Sequence, residues 1–375
     1  MLFGMSRQST LNRPVRRSRR VPHHWLFPLA LAYGALVLPL WLGFAPGHAS
    51  TWHGHELLFG YALLVAAGFL VTRAGLPLLI GLVCAWGLAR LAALVPEAFW
   101  ALPAGLLFPA LLAWLAGRPL WRGAKRPENR ILPLVLLGLL ALDAAWWLGA
   151  VMERPLLQQR TLLGTVDLFT LMMLLVGGRV LPAAVGGYLE RQGIARRDHQ
   201  RRAWELPLAG VAGLMLLTDL MGLAGPAGLL ALAAAGLALA RARSWQLEHT
   251  RRRADLWPLA LGYLWLPAGL ILKGLAQLAG ILAPGQALHG LTVGALGTLT
   301  LVMTVRTARL QRHLSLDRLT LLGPAVALAG LAALTRLVAT PALPGRAALL
   351  WLAAALWSLA LLLGLWLQWQ AGRAS

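Results

Sequence analysis

The sequence predicts an all-α protein held in a membrane, a polytopic helical bundle of about twelve transmembrane helices with both termini cytoplasmic. Three observations predict it. Of 375 residues, 59% are hydrophobic and 13% charged, with mean hydropathy +0.68, whereas a soluble domain carries about a quarter charged residues. Apolar runs near the length of a bilayer span recur along the chain, separated by short basic turns. Arginines and lysines gather on alternate connections, as the positive-inside rule requires.

Taken in order, spans are expected near 25–44, 55–73, 76–95, 98–117, 131–151, 161–182, 204–222, 226–242, 256–282, 287–306, 320–338 and 347–368. Gly75, Pro96, Gly117-Arg118-Pro119, Gly225-Pro226, Pro284-Gly285 and Pro341 to Gly345 punctuate the pattern. No connection is long enough for a further domain. Residues 1–24 are expected to form a basic cytoplasmic tail, 25–368 one transmembrane domain and 369–375 a cytoplasmic tail. The stretch from Arg7 to Arg20 lacks a cleavable-signal pattern.

The formal net charge of +21 would point to nucleic acid in a soluble chain. Here the positive residues lie between spans: in the amino tail, at Arg73, from Arg118 to Arg130, from Arg191 to Arg202, from Arg241 to Arg253 and from Arg306 to Arg318. The opposite side holds Arg154, Arg160 and Arg346. This alternation reads as topology, so the lipid bilayer and not nucleic acid is the expected surroundings. Cys84, the single cysteine, allows no disulfide framework, iron–sulfur motif or thiolate zinc site. No Walker motif, dinucleotide fingerprint, serine-nucleophile motif or Cys-x-x-Cys-His is present.

The chemistry centres on Trp52-His53-Gly54-His55-Glu56, at the head of the apolar run Leu57 to Val71. Ionisable groups at membrane depth are costly and are kept mainly where they pair, bind metal or carry protons. At about 100° per residue, His53 and Glu56 share a helix face and His55 points away. The topology puts His53, His55, Glu56 and His289 at one membrane face, the periplasmic one, with Arg90, Asp143, Glu153, Asp167, Asp219 and Lys273 in the same half. Imidazole is a common ligand of haem iron and copper, which makes His53, His55 and His289 the metal candidates. The plainer alternative is helix-end histidines bonded to carbonyls or water. Glu56 is a candidate proton relay or orienting partner for His53, or a carboxylate favoured by the helix dipole. Gly290, Gly294 and Gly297 line one face, open to a macrocycle or, more commonly, a packed helix. Arg179 is a candidate clamp for a propionate or phosphate, or a snorkelling side chain. His23, His24, His199, His249 and His313 lie beside arginines and are expected to be solvated, as is His48.

The stretch from Trp52 to Tyr61 followed by Ala67-Gly68-Phe69-Leu70 resembles the signature of the NnrS family. Gly177-Gly178-Arg179-Val180-Leu181-Pro182, Trp257-Pro258-Leu259 with Gly262-Tyr263-Leu264-Trp265, and His289 to Gly297 resemble further blocks in family order. The resemblance implies a twelve-helix protein of the bacterial inner membrane that binds haem and copper and serves nitric oxide metabolism or resistance to nitrosative stress. By position it implies that His53, His55, Glu56 and His289 form the haem and copper surroundings, with Arg179 in a motif of unassigned role. Nitric oxide or a similar gas is then the partner, with an electron donor that the sequence does not identify. After the tenth span the chain departs from the family pattern: no histidine stands in register, and His313 comes three residues later.

Three function classes follow from this reading. In the first, a haem held by the cluster binds the gas and an oxidoreductase reaction turns it over, with copper nearby and Glu56 assisting proton movement. The second is a proton-coupled secondary transporter, since twelve spans with intramembrane acids also fit that architecture. The third is a non-catalytic haem or nitric oxide sensor.

Overall fold

The computed structural model describes residues 22–44, 50–72, 74–196, 201–317 and 319–374. The basic amino tail, His48, Arg73, Arg197, His199 and Arg318 lie outside them, as do the side chains of Arg201 and Arg202. The described residues form twelve helices: α1 (His23–Phe44), α2 (Ser50–Leu70), α3 (Leu76–Ala92), α4 (Ala101–Gly123), α5 (Ile131–Val151), α6 (Pro155–Arg191), α7 (Arg201–Leu220), α8 (Ala224–Ala242), α9 (Leu256–Ala279), α10 (Pro284–Leu310), α11 (Leu322–Val338) and α12 (Arg346–Arg373). Ten are long and apolar enough to cross a membrane, while α3 and α11 are shorter apolar helices of 17 residues each. The all-helical, multi-pass expectation therefore holds.

Successive helices pack side by side, and α12 lies against α1, closing the bundle. The most apolar windows of α2, α6 and α10 are 72%, 67% and 72% buried, against 28% for α7 and 33% for α12. Three inner helices are thus wrapped by helices whose outer faces carry the exposed leucines and tryptophans suited to lipid. The inner three carry His53, His55, Glu56, Asp167 and His289, where protein replaces lipid around polar groups.

The largest departure from expectation is α6, which runs 37 residues through Gly177, Gly178 and Pro182. Prolines and glycines are tolerated inside membrane helices when neighbours satisfy the backbone. Arg241 of α8 packs on this stretch: it lies against Gly178, where an added Cβ would be 2.4 Å from its Nη1, and donates from Nη2 to the Leu174 carbonyl at 2.8 Å. The glycine face on α10, open in sequence to a macrocycle or a packed helix, is a helix-packing seam, the commoner of the two. Gly294 lies against Trp265 of α9, and a Cβ on Gly297 would stand 2.3 Å from the Trp357 ring of α12.

Three helices contain wider π-helical turns: Glu56–Ala62 in α2, Ala113–Gly117 in α4 and Gly290–Gly297 in α10. Such turns are rare and cluster at functional sites. Two of the three begin just after the sequence's membrane-depth histidines.

Candidate functional site

A cavity of about 710 Å³ opens between the starts of α2, α6, α10 and α12 and the ends of α1 and α11. Its size falls within the usual range for small-molecule and cofactor sites. The walls are mainly leucine, alanine and tryptophan, and the polar groups that reach them include His53, His289, Arg160, Arg336 and Arg346. Two of the three expected imidazoles, from helices more than 200 residues apart in sequence, thus meet on one cavity.

The two rings are held differently. His289 Nδ1 lies 3.1 Å from the Gln286 carbonyl oxygen, so that nitrogen donates and Nε2 keeps its lone pair for a ligand. His53 stacks on Trp41 with ring centroids 4.1 Å apart, and its Nδ1 is buried without a hydrogen bond. Arg336 acts electrostatically on both rings. The Ser50 carbonyl also acts on the His53 ring from one turn back, and the ring lines the cavity.

His55 is placed elsewhere. Its ring is fully buried, stacked on Trp146 at 3.8 Å and edge-on to Trp147. Nε2 is 2.8 Å from Asp143 Oδ1, and Nδ1 is 3.2 Å from Glu56 Oε1. Each ring nitrogen lies against a carboxylate, so neither is left free for a metal in this arrangement. Arg90 of α3 donates to Glu56 Oε1 at 2.6 Å, and the Tyr33 hydroxyl of α1 donates to Glu56 Oε2. The group ties α1, α2, α3 and α5 together. Two carboxylates, a guanidinium, an imidazole and a phenol thus satisfy one another in a buried place. Gly60 leaves room for it: a Cβ there would lie 2.6 Å from the Tyr33 ring and 3.1 Å from Arg90.

The expected pairing of Glu56 with His53 is therefore replaced by pairing with His55. The reason lies in the neighbours: Arg90 of α3 and Tyr33 of α1 engage the Glu56 carboxylate away from the cavity that His53 lines. Neither Glu56 nor His55 lines the cavity.

Lys273 of α9 forms a second buried ion group with Asp167 of α6 and, at 2.7 Å, Asp219 of α7, and Gln277 donates to Asp219 Oδ1 at 2.7 Å. Arg179, expected as a possible clamp, is at the opposite end of α6 from the cavity. There it pairs with Glu205 through two contacts of 3.2 Å. His23, expected to be solvated, is buried against Phe27. Among the described residues, no group of three or more His, Cys, Asp and Glu could hold a metal ion.

Sequence reasoning missed Trp41, Tyr33 and the cavity role of Arg336. Arginines at helix ends read as membrane-surface anchors, and nothing in their spacing reveals a shared cavity. The only available signal was that Arg160, Arg336 and Arg346 fall near the sparsely charged face.

The comparisons bear on the whole chain. Among curated proteins no match to the chain is found. The sequence model of a family described as "NnrS protein" matches residues 18–371, nearly the full length. Both histidine segments, the cavity and the two buried ion groups fall inside that match, and the chain belongs to the NnrS family.

Proposed function

We propose that this protein binds haem in the cavity between α2 and α10 and acts there on nitric oxide, in the bacterial inner membrane. Family membership supports a role linked to the nitric oxide response. The observation that carries the haem reading is the pair His53 and His289 on one apolar cavity. A haem needs one or two axial nitrogens from the protein. His289 has its Nδ1 on a carbonyl and His53 has an unused buried nitrogen, so the donor set fits.

The reading extends to topology. Twelve crossings with both ends cytoplasmic put the cavity at the periplasmic side, because the connections at the opposite end carry the excess of arginine.

When bound, haem supplies an iron centre able to take a diatomic gas and exchange electrons. The chain's own residues do the rest. His289 and His53 hold the group, the Gln286 carbonyl fixes the His289 tautomer, and Trp41 fixes the His53 ring. The leucine and alanine walls keep water scarce and admit a small uncharged gas from the lipid side. Glu56, held by Arg90, His55 and Tyr33, acts as a positioning residue that anchors α2 below His53. Copper also favours imidazole. With both His55 nitrogens engaged, it would draw on His53 and His289, so the two metals compete for one place instead of sitting side by side.

The test is an absorption spectrum of the purified protein, as isolated and after haem reconstitution, with and without nitric oxide. A haem band that moves on adding the gas, and that is lost or shifted in His53→Ala and His289→Ala, is expected. Protein that takes up no haem and shows no gas-dependent change would overturn the proposal.

One observation favours a second reading. The buried Asp167–Lys273–Asp219 group resembles the intramembrane ion pairs of proton-coupled transporters. Proton uptake by proteoliposomes free of metal, lost in Asp167→Asn, would support it.

A further inference from the structure

The cavity has a charge anomaly that the histidines do not explain. Arg160 from the start of α6, Arg336 from the end of α11 and Arg346 from the start of α12 all line it, and none of its lining residues is Asp or Glu. None of the three arginines forms an ion pair among the described residues, although Arg90, Arg179, Arg196, Arg253 and Arg306 all do. Arg336 and Arg346 are close enough to repel each other, and Arg336 also acts on His53 and His289. Arg336 and Arg346 stand together and Arg160 reaches the same cavity from α6, all three at least partly open to solvent and without a counter-ion from the described residues, which leaves their donors free for an anion.

We propose that Arg160, Arg336 and Arg346 form an oxyanion-binding mouth to this cavity, and that its occupant is a flat apolar molecule carrying carboxylates, the propionates of the haem. This deepens the reading above and rests on it for the identity of the occupant. The shape of the site argues for a molecule with two unlike ends. Its depth is apolar, with Leu58, Val166, Leu296 and Ala354 in the wall, while the guanidinium groups come from helix ends at its rim. Guanidinium groups bind carboxylates through paired, charge-assisted hydrogen bonds. A free oxyanion such as nitrite would satisfy the arginines but leave the apolar depth unfilled.

Metal-free protoporphyrin tests the mouth without the axial bond. Trp41 and Trp357 line the cavity, so quenching of the tryptophan fluorescence of the full-length protein in detergent reports binding. Arg336→Gln and Arg346→Gln are each expected to weaken binding about tenfold, the scale of one charge-assisted contact. Arg336→Lys should recover part of the loss. The dimethyl ester, lacking the carboxylates, should bind wild type more weakly than the acid and be indifferent to the substitutions. His53→Ala and His289→Ala should leave metal-free binding nearly intact while altering the spectrum of the iron-loaded protein, so failure of axial ligation and failure of the mouth are read separately.

Equal binding of acid and ester by wild type, or acid binding unchanged in both glutamine variants, overturns the proposal. A nitrite titration separates the sources. Nitrite that competes with protoporphyrin only in the presence of the arginines supports the shared oxyanion chemistry. Arginine-dependent nitrite binding with arginine-independent porphyrin binding reassigns the mouth to a free anion and overturns the propionate assignment. Thermal unfolding of each variant guards against reading a folding defect as lost binding.

Discussion

Two imidazoles separated by a single glycine, His53 and His55, have opposite roles because their neighbours differ. His53 has a buried nitrogen to give, whereas His55 has both nitrogens engaged by carboxylates. Replacing His55 by Ala is therefore expected to leave the axial signature of bound haem in place while lowering stability by about 3–5 kcal/mol, the cost of stranding buried charges. Thermal unfolding followed by circular dichroism, beside the absorption spectrum, checks both halves. His289→Ala should do the reverse, changing the spectrum with little loss of stability. The sequence made His53 and His289 legible, since polar rings in long apolar runs stand out against their surroundings. It did not separate His55 from them, because the Asp143 that claims its second nitrogen is 88 residues away. Arg336 was invisible as a cavity residue, since an arginine in a last helical turn has an adequate explanation at the membrane surface.

At the scale of helices, hydropathy with its Gly, Pro and arginine breaks located the twelve helices approximately, with α6 the largest departure. It failed where the winding changes. The π-helical turns of α2 and α10 have no composition that marks them, so hydropathy did not show them. The tight fit around α10 gives a second prediction. Gly297→Leu drives atoms into the Trp357 ring and should destabilise by about 1–3 kcal/mol through overpacking. Because Trp357 also lines the cavity, protoporphyrin binding should weaken with it. Between α6, α7 and α9, Lys273→Met leaves Asp167 and Asp219 facing each other without a cation. A loss of about 3–5 kcal/mol is expected, and Asp167→Asn in the same chain should restore part of it, which a double-mutant cycle measures.

For the molecule as a whole, the cavity takes its walls from the starts of even-numbered helices and the ends of odd-numbered ones, so its polar groups face one side. Under the topology proposed above, the charge asymmetry of the sequence puts that side in the periplasm. With Cys84 replaced by Ser, a thiol reagent that cannot cross membranes should label Leu343→Cys on intact cells and Gln192→Cys only after lysis. The opposite pattern reverses the orientation. The all-helical, multi-pass class was thus readable from composition and charge, whereas the pairing of α12 with α1 was not, since contacts more than 300 residues apart leave no local trace. That pairing has a consequence for biogenesis. Trp357 reaches back to donate to the Gly34 carbonyl, and residues 346–357 finish the enclosure around the two imidazoles. A nascent chain still lacking this final segment has the cavity open along one side, so a molecule of the kind proposed above would be enclosed only once translation is nearly complete.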